Sequence, residues 1–180
     1  MKKILGLAGE IASGKGTAAK YIVNEYNGST HRFSGILRDL SARLYLEENR
    51  DNLQRMSTAV RDYFGQDILC KTIYQDVLED EHRFVAIDGV RRFQDVEKLK
   101  KIKGFYLVYI ETDLEVRFNR LRNRNENSDD KGKTMEEFRQ DSKKEAEQQI
   151  KGLKEKADVV INNNGSFEDL YSQMDTILKK

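Results

Sequence analysis

The sequence predicts an α/β protein, a parallel sheet covered by helices, on three observations. Short apolar runs recur along the chain, polar residues or glycine flank them, and a segment with helical spacing follows each one. The runs are Ile4 to Ala8, Phe84 to Ile87, Phe105 to Ile110 and Val159 to Ile161, with a weaker one at Thr30 to Phe33. Their β-branched and aromatic residues mark strands buried on both faces, as in a parallel sheet.

Helical spacing follows the strands in Tyr21 to Tyr26 and Val96 to Ile102. From Ile36 to Glu81 the chain is too long for one crossover. Its apolar positions fall in three groups, Leu37/Leu40/Leu44, Leu53/Met56/Val60/Phe64 and Ile68/Leu69/Ile73/Val77, which predict two or three helices inserted between the second and third strands. From Arg122 to Lys133 no apolar residue occurs and turn formers abound, as expected of a polar surface segment. Thr134 with Glu137 three residues on has the spacing of a capping box, opening a charged stretch that runs to Lys156. No internal repeat or linker interrupts residues 1–180, a length that fits one domain of about 100–200 residues.

Composition narrows the class. Hydrophobic residues make up 38% of the chain, yet no stretch approaches the roughly 18 consecutive apolar residues of a membrane span. The Met-Lys-Lys start leads into a run too short for a signal peptide, so a soluble cytoplasmic protein without a membrane partner is expected. Cys70 has no second cysteine to pair with, and His31 and His82 are the only histidines, which argues against a disulfide or a structural zinc site. Lys and Arg number 32 against 31 acidic residues, and the net charge of +1 disfavours a nucleic-acid partner.

The first strand runs into Gly9-Glu10-Ile11-Ala12-Ser13-Gly14-Lys15-Gly16-Thr17, with helical residues after it. Strand, glycine-rich loop and helix in this order make a P-loop. Glycines let the loop curl so that successive amides point at phosphate oxygens, the helix adds its positive end, and Lys15 adds a full charge. Gly9, Ala12, Ser13, Gly14, Lys15, Gly16 and Thr17 are therefore the candidate binding residues for ATP. Gly16 stands where Ser or Thr usually binds magnesium, and Thr17 follows it. Glu10 is unusual in such a loop. Asp88, ending an apolar strand, has the Walker B placement for holding magnesium through its water shell, with a helix cap before Arg92 as the competing account.

The run GKGT resembles the loop of adenylate kinases and other nucleoside monophosphate kinases. That likeness implies magnesium held largely through water near Thr17 and Asp88. Phe33-Ser34-Gly35-Ile36-Leu37-Arg38 resembles the acceptor segment of the same family, which implies Ser34, Gly35 and Arg38 as contacts to a monophosphate. Ile87-Asp88-Gly89-Val90-Arg91 is similar to its Asp-Gly segment, without the proline and one residue shorter, and implies Arg91 as a second contact. Arg120 and Arg124, with Arg139 in an Arg-x-Asp, match the arginines around the family's lid, here a short one at about 122–134, and would join Lys15 and Asp88 in catalysis. Arg117 and Arg122 read instead as an exposed basic helix face, and Arg61 as a solvated arginine. The tail from Ala157 to Ser166 is similar to that of dephospho-CoA kinases, which implies backbone near Asn164 beside the adenine.

These likenesses imply a three-layer α/β/α fold with five parallel strands in the order 2-3-1-4-5 and an acceptor-binding helical insertion at about 34–82. The implied activity is transfer of the γ-phosphate of MgATP to a nucleoside monophosphate. A dephospho-CoA kinase, a nucleotide-binding regulatory module and an RNA-associated ATPase are the alternatives. The residues leave the acceptor, the choice of ATP over GTP and the oligomeric state open.

Overall fold

A computed structural model describes residues 1–123, 132–143 and 145–179. Strand β1 (Lys3–Ala8) leads into α1 (Lys15–Tyr26) and β2 (Ser29–Arg32). Helices α2 (Phe33–Arg43), α3 (Arg50–Phe64) and α4 (Ile68–Glu79) form the insertion before β3 (Phe84–Asp88). Then come α5 (Phe93–Leu99), β4 (Phe105–Glu111), α6 (Leu114–Asn123), α7 (Met135–Ser142), α8 (Glu145–Gly152), a 3₁₀ turn, β5 (Val159–Asn162) and α9 (Phe167–Leu178). The sheet is parallel throughout in the order β2-β3-β1-β4-β5, as expected.

Alternation along each strand builds the two outer layers. Ile4, Val85, Ile87, Leu107 and Tyr109 point to one side, where α2, α4 and α5 cover them with Leu37, Leu69, Ile73, Val77, Val96 and Leu99. Leu5, Leu7, Ala86, Val108 and Ile110 point to the other, against Ala18, Ala19 and Ile22 of α1 and Leu170, Met174 and Leu178 of α9. The strand ends at Ala8 and Asp88 therefore emerge side by side.

Two boundaries differ from expectation. Phe33 is the first residue of α2 rather than the end of β2, because Arg32 keeps extended dihedrals and Phe33 turns into the core. Helix α6 continues through Asn123, so Arg122 is helical, its guanidinium 5.9 Å from the centre of the Phe118 ring. The Thr134/Glu137 capping box is present at the start of α7. Most of the expected lid, including Arg124, lies outside the described residues.

Both histidines converge on one carboxylate at the sheet edge. Asp80 follows α4, and its oxygens lie 2.7 Å from His31 Nε2 and 2.7 Å from His82 Nδ1, while accepting from His82 N at 2.8 Å and from Ser29 Oγ. Burial pushes the carboxyl up, but the hydrogen bonds from Ser29, His82 and His31 outweigh it and hold the group well below the usual carboxylate range. A depressed folded pKa means that the ionised group stabilises the fold above the unfolded value of about 3.9, and that this is lost as pH falls toward the folded value. Asp80→Asn is expected to destabilise by about 1–3 kcal/mol at pH 7. Thermal melts should show the gap to the parent protein narrowing between pH 5 and pH 2.

Candidate phosphate-binding site

The loop after β1 turns through left-handed dihedrals at Gly9 (φ 147°), Ala12 (φ 61°) and Gly14 (φ 105°). A Cβ on Gly9 would stand 2.6 Å from both Ile110 O and Ser13 Oγ, and one on Gly14 would stand 2.2 Å from Asn163 Nδ2. Close approach, as well as dihedral freedom, thus requires glycine at both places. Lys15 folds over the loop and donates to Gly9 O at 2.7 Å and Glu10 O at 2.9 Å.

The loop is braced from below. Ser13 O accepts from Thr112 Oγ1 at 3.0 Å and from Asn163 Nδ2 at 2.8 Å, which ties it to the ends of both β4 and β5. Thr112 and Asn163 are buried, and Asn163 N donates to Glu111 O at 2.8 Å. Asn164 Oδ1 accepts from Asp113 N at 2.8 Å. Arg120 donates to Asn163 O at 2.9 Å and to Gly165 O at 3.4 Å, and burial lowers its pKa. The structure therefore brings the loop, Asn164 and Arg120 together, with Arg120 lying on the segment after β5.

The same loop holds a buried polar atom that faces no protein partner, Ser13 Oγ. With Lys15 at the mouth and the start of α1 behind, this set fits a phosphate group. Thr17 lies in the first turn of α1 and Asp88 ends β3 beside Leu7 of β1. These two could hold magnesium through water; among the described residues no group of three or more His, Cys, Asp or Glu is placed to hold a metal directly. Asp88 is buried and caps no helix, since Arg92 occupies the N-cap of α5. Its Oδ2 lies 3.1 Å from Arg32 Nε, the residue that β2 sets opposite it.

Of the expected acceptor contacts, Ser34, Gly35 and Arg38 lie in the first turns of α2, where Arg38 pairs with Glu48. Arg91 is exposed. Its neighbour Arg92 is half-buried and donates to Gln66 Oε1 at 3.4 Å, while Arg61 of α3 donates to Gln66 O at 2.5 Å. Burial first, then the Arg92 charge, lowers the pKa of Arg61, so it is not a freely solvated side chain. Asp95, buried beneath them, is pushed up by desolvation against the pull of both arginines. Arg139 is exposed on α7, and Asp141 of its Arg-x-Asp pairs with Lys133.

Three further side chains escaped the sequence reading. Arg92 was masked by the adjacent Arg91, and the helical spacing from Val96 onward is the signal that places it at a helix start. Arg32 precedes the acceptor segment, but only strand pairing sets it beside Asp88. Arg117 is no part of an exposed basic face: it is 2% exposed and pairs with Glu10 at 3.0 Å, because α6 packs that side against the loop.

A sequence profile described as an AAA domain matches residues 8–139. The chain belongs to this family. It is 34% identical over 182 residues to an Archaeoglobus fulgidus UPF0200/UPF0201 protein, matching 99% of this chain and 55% of that one. The chain thus spans about half the length of that relative. It is 27% identical to a Sulfurisphaera tokodaii UPF0200 protein across 99% of this chain and 97% of the other. Among solved structures, a shikimate kinase from Bacteroides thetaiotaomicron superposes with TM-score 0.68 at 15% identity over 99% of both chains. One from Aquifex aeolicus does so with TM-score 0.58 at 15% identity over 98% of this chain and 96% of the other. The fold is thus that of P-loop kinases, with a nucleotide as the ligand such a loop implies. No helix among the described residues is long and apolar enough to cross a membrane.

Proposed function

We propose that the protein transfers the γ-phosphate of MgATP to a small acceptor that itself carries phosphate, with a nucleoside monophosphate as the leading acceptor. The observation that carries this reading is the pair Arg61 and Arg92, two guanidiniums converging on Gln66 beyond the end of β3. Beside Asp95, the two like charges repel each other at a partly desolvated place, and a bound anion would relieve that repulsion. The loop follows β1 and Arg92 follows Asp88 on the neighbouring strand β3, so donor and acceptor phosphates would meet at the strand ends.

When bound, MgATP supplies the phosphoryl group and magnesium screens its charge. The chain's own groups do the rest. Lys15 and the loop amides hold the donor phosphates, Ser34, Gly35, Arg38 and Arg91 or Arg92 hold the acceptor, and Thr17 and Asp88 order the water around the metal. Arg124 and Arg139 would stabilise the transferring group. Arg120, lying on the segment around Asn164, would border the nucleotide base. An ionised phosphate acceptor needs no general base.

A hydroxyl acceptor, as in dephospho-CoA kinases, is the second reading. The buried Asp88 carboxylate favours it, since it could take the hydroxyl proton once Arg32 releases it. ADP formation from MgATP, with AMP, CMP, UMP, GMP, their deoxy forms and dephospho-CoA offered singly, separates the two. Stimulation by one monophosphate supports the first reading, stimulation by dephospho-CoA alone supports the second, and stimulation by none counts against both. Arg92→Ala is expected to raise the acceptor KM about tenfold or more while leaving the KM for ATP within about twofold. Steady-state kinetics varying each substrate would check it.

A further inference from the structure

Glu10 adds a negative charge to a loop shaped for anions, and the structure assigns that charge a partner. Its Oε1 lies 3.0 Å from Arg117 Nη2 and 3.7 Å from Lys151 Nζ. Arg117 also donates through Nε to Thr112 O at 3.0 Å and through Nη1 to Ile11 O at 3.3 Å. Its guanidinium carbon stands 5.4 Å from the centre of the Phe138 ring. One buried side chain therefore touches the loop backbone, the end of β4 and helix α7. Ile11 and Ala12 of the loop pack beside it against Phe118, Leu121 and Phe138, in a small core separate from the two that flank the sheet.

Resting on the phosphate-loop reading, we infer that Arg117 is a positioning residue that clamps Glu10 and Ile11 in the phosphate-receiving shape and couples the loop to α7, which carries Arg139. The guanidinium is planar and reaches three acceptors and a ring face at once. Lysine at this position keeps the charge but, as a single ammonium on a flexible stem, cannot hold all four in place. Removing Glu10 leaves the buried Arg117 charge without its carboxylate, and removing Arg117 leaves Glu10 only Lys151 at 3.7 Å, so both sides of the clamp are weakened together. Binding that stiffens Ile11 and Glu10 must then stiffen Arg117 and, through it, Phe138.

Hydrogen–deuterium exchange of the full chain with and without MgATP, with calorimetric MgATP titration, tests this on the parent protein, Arg117→Lys and the milder Glu10→Gln. In the parent, MgATP should slow exchange about tenfold or more both in residues 9–15 and in residues 135–142. In Arg117→Lys only the loop should be protected, and MgATP affinity should fall about tenfold. Glu10→Gln should change both readouts in the same direction, and it decides the matter if Arg117→Lys fails to fold. Protection confined to residues 9–15 in the parent, or undiminished protection of 135–142 in the variants, would overturn the coupling while leaving the transfer reading standing. Coupling without any acceptor-stimulated turnover would fault only the transfer reading, and a parent protein that binds no MgATP would overturn both.

Discussion

Lys15→Ala is expected to lower acceptor-stimulated ADP formation by about two to three orders of magnitude, the usual cost of removing a charged donor aimed at the reacting phosphates. Lys15 is the first residue of α1, and its ammonium spans the loop to Gly9 O and Glu10 O. Those two carbonyls anchor the ammonium, but a phosphate oxygen offers it a full opposite charge. Lys15 is half-buried in an otherwise intact helix start, so the melting temperature should move by only a few degrees. The pair of measurements separates chemistry from folding. A variant that turns over within tenfold of the parent would remove the loop from the transfer reaction.

Gly14→Ala is the second large effect expected, and here stability and binding should fall together. At φ 105° an L side chain costs about 1–2 kcal/mol, and the new Cβ would sit 2.2 Å from Asn163 Nδ2. Asn163 is buried and uses that nitrogen to hold Ser13 O. Displacing it strands a buried amide at a further cost of about 1–3 kcal/mol. For a chain of this size, a combined loss of about 2–5 kcal/mol lowers the melting temperature by roughly 4–20 °C. MgATP affinity should drop with it, because the loop can relieve the clash only by changing shape. Gly16→Ala is the internal control: nothing lies within 4 Å of its Cβ and it sits in a helix, so it should stabilise by about 0.5–1 kcal/mol. Differential scanning calorimetry on the two variants tests the contrast. Equal melting temperatures would mean that Asn163 does not brace the loop.

Much of the fold was readable because buried parallel strands are written as contiguous apolar runs. Ile4 to Ala8 and Phe105 to Ile110 have no polar residue to lose in a core, and each ends where a loop must begin. The three helices of the insertion were readable as groups but not as boundaries. Asn49, whose side chain accepts from Asn52 N at 2.9 Å, and Gly65 set the limits of α3. The weak strand was overrun by one residue, because Phe33 is as good a strand former as a buried helix start and only Arg32 next to Asp88 separates the two. In the site, the glycine loop and Asp88 were legible from local order along the chain. That Arg92 rather than Arg91 bonds Gln66, and that Arg117 rather than Arg120 is buried against Glu10, was not, since neighbouring arginines on one helix or loop differ only in the direction they point.

By itself, then, the sequence determined what depends on near neighbours: the apolar runs, the helical spacing, the loop whose glycines permit its curl, and the acidic end of β3. Tertiary structure decided which polar and charged groups meet. Glu10 and Arg117 are separated by most of the sheet's connections, as are Ser13 and Asn163, and their pairing depends on how α6 and the end of β5 pack against the loop. An ionisable side chain costs too much to bury alone, so its place in the core is defined by its partner.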